Sequence, residues 1–560
     1  MITGMRSIGK IFLAGLFLAG CSKKGSESEP DNPPAPANLS LHSWSVDGVL
    51  SKASYQNVSP TPVIKFHFSA PVNRSTVTAS FSLRQASGTS VNYNVSYEKS
   101  DSMVVLVPAQ PLAHLSKYAL TLSRDIKSAG GGSLTTPATI SLTTAIDSTD
   151  KFPRLTDDQL LDKVQQQTFR YFWNFAHPVS GLARERNTSG DVVTTGGSGF
   201  GIMAIVTAIH RQFITRAEGL ARLQKIVDFL KTKADRFHGA FPHWLNGATG
   251  KVVAFSAKDN GADLVETSFL MQGLLTARQY FNGADAAETA LRADINELWK
   301  AVEWNWFRKG SENVLYWHWS PNYGWEMNHP IRGWNEALIT YVLAAASPDY
   351  SIPKEVYDAG WAGNGAMRNG NTYFGVPLPL GPSNGGPLFF AHYSFLGLNP
   401  KGLTDGYANY WDQNRAHTLI NYHYSKANPK KFYGYSEAVW GLTASDDNKV
   451  GYLAHEPNND NGVIAPTAAL SSFPYTPEES MRALQFFYYT LGDKLWKEYG
   501  FVDAFNLTDL WFADSFLAID QGPVIIMMEN HRSGLLWDLF MSSPEVKSGL
   551  RKLGFQSPYL

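Results

Sequence analysis

The sequence predicts a mainly α-helical chain in two parts: a small all-β sandwich, then a larger domain built as an (α/α)6 toroid. Three observations carry this. Residues 39–146 alternate apolar and polar side chains with period two. From residue 155 onward the apolar period becomes 3.6, and about a dozen helical segments follow. Several of these pair as hairpins, and no repeat of fixed period runs through them, which disfavours a helical solenoid.

In the first part, Val63-Ile64-Lys65-Phe66-His67-Phe68, Val104-Val105-Leu106-Val107 and Tyr118-Ala119-Leu120-Thr121-Leu122 read as strands. Ser87-Gly88 and Ala129-Gly130-Gly131-Gly132 mark turns between them. Short strands at this spacing predict an antiparallel sandwich. A linker at 147–154 leads to the second part, residues 155–560. There Thr156-Asp157-Asp158 caps a first helix that carries Leu160, Leu161, Val164, Phe169 and Phe172. Further helices are expected at 199–213, 215–233, 263–282, 285–308, 334–347, 405–425, 465–473, 477–497, 513–519, 523–540 and 543–553. Long loops rich in Gly, Trp, Asn and Pro separate some of them, notably 310–333, 360–388 and 426–464. Loops of that length in a compact domain are usually functional.

Composition limits what the chain does. Of 560 residues, 44% are hydrophobic and 17% charged, which excludes a disordered chain. The formal net charge is −1, so there is no basic excess to bind nucleic acid. Aromatic residues make up 13%, including 16 Trp, a composition that suits both a large core and the apolar faces of sugars. At the N-terminus, Arg6 and Lys10 flank an apolar run, 11–20, of signal-peptide length. It ends in Leu18-Ala19-Gly20-Cys21, which resembles a bacterial lipobox and predicts lipidation of Cys21. Residues 1–21 are then signal and lipobox, and the polar, Pro-rich 22–38 a flexible tether. An exported protein anchored in the cell envelope by acyl chains is expected, with no spanning helix and as a monomer. Cys21 is the only cysteine, so an internal disulfide, a Cys nucleophile and a Cys-held metal are excluded.

Acidic side chains recur beside Gly and aromatic residues where loops become helices. Asp259, Asp263 and Glu266 are spaced to share one side of a helix start. Glu336 follows Arg332-Gly333-Trp334-Asn335. Glu437 precedes Trp440, with Asp446 and Asp447 downstream. Asp514 and Asp520 precede Glu529 and Arg532. Each acid alone also has an ordinary reading: a helix cap for Asp259 or Asp263, the positive end of a helix for Glu336, an ion pair for Glu529 with Arg532. Together they offer what glycosidic hydrolysis needs, two carboxyls flanking one bond. Other chemistries lack their motifs. Gly197-Ser198-Gly199-Phe200-Gly201 matches neither a dinucleotide nor a P-loop pattern, and no nucleophile elbow or zinc motif appears. No cofactor and no metal are expected; Asn458-Asn459-Asp460-Asn461-Gly462 lacks the downstream Glu of a Ca²⁺ loop.

The segments DNGADLVETSFLMQGLL, IRGWNEALITYVLA, FGVPLPLG, YSEAVWGLTASD and DSFLAIDQGPVIIMMENHRSGLLW resemble, in the same order, those of a glucoamylase-type domain family. Its characterised members are β-1,2-glucanases of glycoside hydrolase family 144. The likeness covers about residues 155–555. FSAPVNRSTVTASFSL and LVPAQPLAHLSKYALTLS resemble a bacterial Ig-like domain. The first resemblance implies an (α/α)6 barrel, a glucan substrate, and Glu336 and Asp520 as the critical pair. It implies Asp259, Asp263 and Glu266 as subsite residues. Glu336 is then expected to be the general acid and Asp520 the base of an inverting reaction, endo-acting or sophorose-releasing. One conflict stands: a helix N-terminus should lower the pKa of Glu336, whereas an acid catalyst needs it raised.

Arg332, Trp334, His243, Trp244 and Trp440 are expected to contact sugar. Trp304, Trp306, Trp317, Trp319, Trp325 and Trp334 crowd one segment, and those in loop 310–333 are the better stacking candidates. Phe374 and Tyr393 are further ones. Two other classes stay open. A glycan-binding surface lipoprotein would need no carboxyl pair. A barrel-type polysaccharide lyase would want a Tyr or His base and basic residues for uronates. A hydrolase of another β-glucan is the nearer alternative.

Overall fold

The computed structural model describes residues 36–560. The signal segment, Cys21 and most of the tether therefore lie outside the described residues. The chain forms two compact units. One runs to Leu112 and includes Lys117–Leu142; the other comprises Ala113–Ser116 and Thr143–Leu560.

The first unit is built from β1 (Leu41–Val46), β2 (Val49–Leu50), β3 (Ser54–Val58), β4 (Ile64–Phe68), helix α1 (Arg74–Ser80), β5 (Phe81–Gln85), β6 (Tyr93–Glu98), β7 (Met103–Pro108), β8 (Lys117–Leu122) and β9 (Ala138–Thr144). The strands make two sheets, β2-β1-β4-β7-β6 and β3-β9-β8-β5. Alternation sets which face is buried: Ile64, Phe66 and Phe68 point inward while Lys65 and His67 stay half-exposed. In antiparallel register Ile64 faces Leu106, Phe66 faces Val104, and Leu83 faces Leu120. Phe66 of one sheet meets Phe81 of the other, with ring centroids 4.8 Å apart, so the core lies between two layers. Helix α1 departs from the all-strand expectation. The Asn73 side chain caps it by accepting the Ser75 N–H, and Val77 anchors it in the core.

The second unit is helical. Its helices are α2 (Asp157–Trp173), α3 (Thr195–His210), α4 (Arg216–Thr232), α5 (Leu264–Tyr280), α6 (Ala286–Lys300), α7 (Leu338–Ala346), α8 (Lys354–Val356), α9 (Tyr410–Ala427), α10 (Pro466–Leu470), α11 (Pro477–Gln485), α12 (Gly492–Leu495), α13 (Ala518–Arg532), α14 (Leu535–Ser542) and α15 (Pro544–Leu553). They divide into two kinds. Helices α3, α5, α7, α10 and α13 are buried on nearly every side, while α2, α4, α6 and α15 bury one face. A helix buried all round belongs inside, and an amphipathic one outside. Accordingly α10, α13, α3, α5 and α7 pack in an inner row, with α2 against α3 and α13, α4 against α6, and α15 against α7.

Glycine explains how tightly the inner row closes. A Cβ on Gly199 of α3 would overlap the Phe269 carbonyl of α5, and one on Gly273 would overlap the Gly199 carbonyl. The Gly-rich run at 197–201 thus serves backbone contact between two helices. Gly273→Ala is expected to cost about 1–3 kcal/mol through overpacking, seen as a lowered thermal midpoint of the helical unit.

Several boundaries differ from those expected. The sequence predicts one helix at 513–519 and another at 523–540. The structure has α13 running through Pro523, with the break at Gly534, whose φ is +76°. Pro523 forgoes a single backbone hydrogen bond there, and its neighbour Gly522 lies against Phe200, where a Cβ would fall 2.5 Å from that side chain's own Cβ. The segment 285–308 ends as α-helix at Lys300 and continues as a 3-10 turn, Trp304–Arg308. The segment 477–497 splits into α11, a π turn (Phe486–Thr490) and α12. The predicted linker 147–154 is docked: Lys151 N–H donates to the Tyr489 carbonyl at 2.7 Å, and the Arg154 guanidinium lies over the Tyr489 ring.

Candidate active site

Glu266 is the third residue of α5, Asp520 the third of α13, and Glu336 lies just before α7. Inner helices that start at one end of the unit thus bring together three acids far apart in sequence. At that end lies a cavity of about 520 Å³, walled by Phe269, Trp317, Phe389, Tyr393 and Leu517 and reached by Glu266, Glu336, His243, Trp244, Glu185 and Arg186.

Glu336 is held from behind. The Ser394 hydroxyl donates to the Glu336 carbonyl and accepts the Ile339 N–H at 3.0 Å, while Asn335 accepts the Ala337 N–H at 2.9 Å. Its carboxyl is pushed up to about 7, first by burial and further by the charges of Glu266 and Asp263; a hydrogen bond from its own backbone N–H opposes this. The conflict with the helix N-terminus is therefore decided by desolvation against apolar walls.

On one side stands a carboxylate–imidazole cluster. Asp263 caps α5: one oxygen accepts the Val265 and Glu266 N–H groups at 3.0 and 2.9 Å, and the other meets His243 Nδ1 at 3.0 Å. His318 Nε2 lies 3.5 Å from Asp259 and 3.7 Å from Asp263. Burial disfavours a charged His243, but the Glu266 charge and the Asp263 hydrogen bond prevail and raise it to about 9, so it is an imidazolium at neutral pH. Asp259 is pushed up to about 7 by burial and the Asp263 charge. Glu266 is raised by burial, although it accepts the Gly196 N–H at 2.7 Å. A side chain at Gly196 would place its Cβ 2.6 Å from that oxygen, so glycine is required there. Among the described residues, His243, Asp259 and Asp263 hold donor atoms within 4.8 Å of one another, a spacing that could hold a metal ion. The His243 imidazolium already supplies positive charge to these carboxylates.

On the other side, Asp520 is buried against Asp503, and the two carboxyls share a hydrogen bond. Asp503 also accepts the Asp446 N–H at 2.7 Å. Arg186 reaches Glu185 at 3.1 Å and Asp446 at 3.2 Å, and Ser515 donates to Asp446 at 2.5 Å. Burial raises Asp520 well above the usual carboxylate range, with the Asp503 charge second; burial raises Asp503 to about 7, with the Asp446 charge second. The two carboxyls titrate as a unit. Asp520 lines a small crevice with Asp503 and Thr467 rather than the main cavity wall. Tyr393 links the sides: burial raises its phenol, and the charges of Asp520, Glu336 and Glu266 all reach it.

Not every residue expected at the site is there. Trp440 is fully buried, edge-on to Tyr422, and its Nε1 donates to the Glu479 carbonyl at 3.3 Å. Trp334 is buried beside Phe395 and Tyr410. Arg332 is exposed and donates to the Ala359 carbonyl at 2.8 Å. None of the three lines the cavity, because each has its partners elsewhere. Glu437 forms surface ion pairs with Lys426 and Arg482. Glu529 pairs with Arg211, not Arg532, which instead reaches Asp158 and Asp162. Phe374 is exposed near Tyr424, outside the cavity wall. Reasoning from sequence missed Asp503, Glu185, Arg186, Phe255 and Tyr452. Asp503 had a readable signal, an acid enclosed by Val502, Ala504 and Phe505. A buried carboxyl in such a run needs a polar partner.

This arrangement, a helical unit with acids converging at the helix starts, agrees with comparisons to known proteins. The family model described as Putative glucoamylase matches residues 328–544, and that of a Bacterial Ig-like domain matches 44–144. The structure of an endo-β-1,2-glucanase from Chitinophaga pinensis, in complex with sophorotriose and glucose, is 56% identical, covers 73% of this chain and 100% of its own, and superposes with a TM-score of 0.71. A β-1,2-glucanase structure from Parabacteroides distasonis is 42% identical, covers 94% of this chain and 74% of its own, with a TM-score of 0.70. An exo β-1,2-glucooligosaccharide sophorohydrolase (non-reducing end) from Parabacteroides distasonis is 53% identical over 422 residues, 71% of this chain. The match spans 58% of the length of that curated relative. The chain belongs to the Putative glucoamylase family, with a bacterial Ig-like domain ahead of its helical unit.

Proposed function

We propose that this chain is a glycoside hydrolase of β-1,2-glucan, with Glu336 as general acid and Asp520, buffered by Asp503, as the base that activates water. The observation that carries this reading is the Glu336 carboxyl, raised to about 7 in a sugar-sized cavity, with the buried Asp520 and Asp503 carboxyls in a separate small crevice of the same helical unit. Glu336 stays protonated up to neutral pH and can deliver its proton to the glycosidic oxygen as the bond to C1 breaks. Water attacks C1 from the opposite face, and its proton passes to the Asp520–Asp503 pair, so the anomeric configuration inverts. His243, oriented by Asp263, and Glu266 present fixed charges and acceptors to sugar hydroxyls, and Trp244 and Phe255 offer ring faces at the cavity wall. The relatives named as β-1,2-glucanases support this substrate. We read the inner and outer helices as an (α/α)6 toroid, and the chain as exported and acyl-anchored at Cys21.

The test is release of reducing sugar from β-1,2-, β-1,3- and β-1,4-linked glucans. Turnover of the β-1,2 polymer alone is expected. Binding of that polymer by the wild type without turnover would contradict the reading and favour a glycan-binding lipoprotein. The pH profile is a second check. Glu336 must be protonated, so kcat/KM should fall as pH rises through about 7. It should also fall in acid, as the Asp520–Asp503 pair takes up its second proton.

A further inference from the structure

The Trp-rich segment flanking the cavity has a use that the acids do not account for. Trp304 and Phe307 are buried, but Trp306, between them, is 40% exposed, and Tyr323 is 42% exposed. The Trp306 ring lies flat on His238, with centroids 3.9 Å apart and planes 15° apart. His238 is locked by a 2.9 Å contact from Nδ1 to Glu303, and it meets Trp319 edge-on at 5.0 Å. Trp325 adjoins Trp306 at 6.3 Å. The rings of Trp325, Trp306, His238 and Trp319 form one continuous row rather than scattered surface aromatics.

The row begins beside the carboxylate–imidazole cluster. Trp319 and His318 form a two-residue ladder with Ala262 and Asp263; Asp263 faces His318 in the carboxylate–imidazole cluster, and Ala262 faces Trp319 at the start of the row. The row is carried by the α4–α5 and α6–α7 connections, which end where α5 and α7 begin with Glu266 and Glu336. The same two connections are tied by Lys258 to Glu326 at 2.9 Å and Asn260 to Asn322 at 2.7 Å. Along the row Glu303 is hydrogen-bonded to His238 and the Glu326 charge is paired with Lys258. Flat rings with neutralised neighbours suit an uncharged pyranose, whose axial C–H face stacks on an indole. A scattered exposed Trp would need no explanation, but a contiguous row that starts beside the carboxylate–imidazole cluster and ends on an exposed ring marks a binding surface.

We infer that Trp306, stacked on His238, is a distal glucose-binding platform that holds a β-1,2-glucan chain where it extends beyond the cavity. This rests on the proposed substrate and adds that long chains are bound preferentially. The experiment compares wild type, Trp306→Ala and Trp306→Phe on long linear β-1,2-glucan and on sophorotriose. For Trp306→Ala the ratio of kcat/KM on polymer to that on trisaccharide is expected to fall about tenfold, with the change in KM, as loss of one stacked ring would produce. Trp306→Phe should restore most of that ratio. An unchanged ratio, including an equal fall on both substrates, would assign Trp306 to packing and overturn the inference while leaving the hydrolase reading intact. A wild type that cleaves neither substrate would overturn that reading and this inference with it.

Discussion

Glu336→Gln is expected to lower kcat on β-1,2-glucan by about 10²–10⁴-fold, the usual contribution of a positioned general acid. The amide keeps the size of the carboxyl and the backbone ties to Ser394 but has no proton to give at the pH where Glu336 is half ionised. Binding should persist, because the cavity wall and the His243 cluster are untouched. The alkaline limb of the pH profile should vanish with the carboxyl. Isothermal titration of the variant with sophorose oligosaccharides, alongside turnover, checks both halves. Undiminished kcat would show that another group protonates the leaving oxygen.

Asp520→Asn should be as damaging, about 10²–10⁴-fold in kcat, since no other carboxyl of the pair stands where it does. Asp503→Asn is more informative. Burial and the Asp503 charge both raise the Asp520 carboxyl. Replacing Asp503 by an amide removes the charge and leaves a donor beside Asp520, so the pKa of Asp520 should fall. The acid limb of kcat/KM should then move to lower pH. A base whose pKa drops is also a weaker base, so the plateau rate should fall by less than in Asp520→Asn. Titration of the profile for wild type and Asp503→Asn checks this; an acid limb that stays in place would place the titrating base elsewhere.

Helices buried on all sides were legible because α3, α5, α7 and α13 read as nearly unbroken apolar or small residues, and a single chain has only the interior to offer them. The position of Glu336 near a helix start was legible too, whereas Asp520 falls between the expected helices 513–519 and 523–540 and takes its place in the first turn of α13 only in the fold. What sequence could not supply was tertiary. Trp440 beside Gly441 reads like a sugar platform, yet its indole is enclosed by Tyr422 and the backbone near Glu479. Arg332 reads like a ligand for a sugar hydroxyl, but the Ala359 carbonyl takes its guanidinium. The sequence predicts a gap at 520–522, but α13 runs through it and through Pro523, and Gly534, with its left-handed backbone, ends the helix instead. Asp503 went unread because its importance lies in its neighbour, Asp520, 17 positions along the chain, and proximity of that kind is a property of the fold.

The assignment of Glu336 as acid and Asp520 as base is tested most directly by the anomer first released from β-1,2-glucan, followed by proton NMR or polarimetry before mutarotation. An acid on one face and a water-activating base on the other predict the α-anomer at the new reducing end. Initial release of the β-anomer would mean that a carboxyl forms a covalent glycosyl intermediate, and would contradict the roles given to both residues.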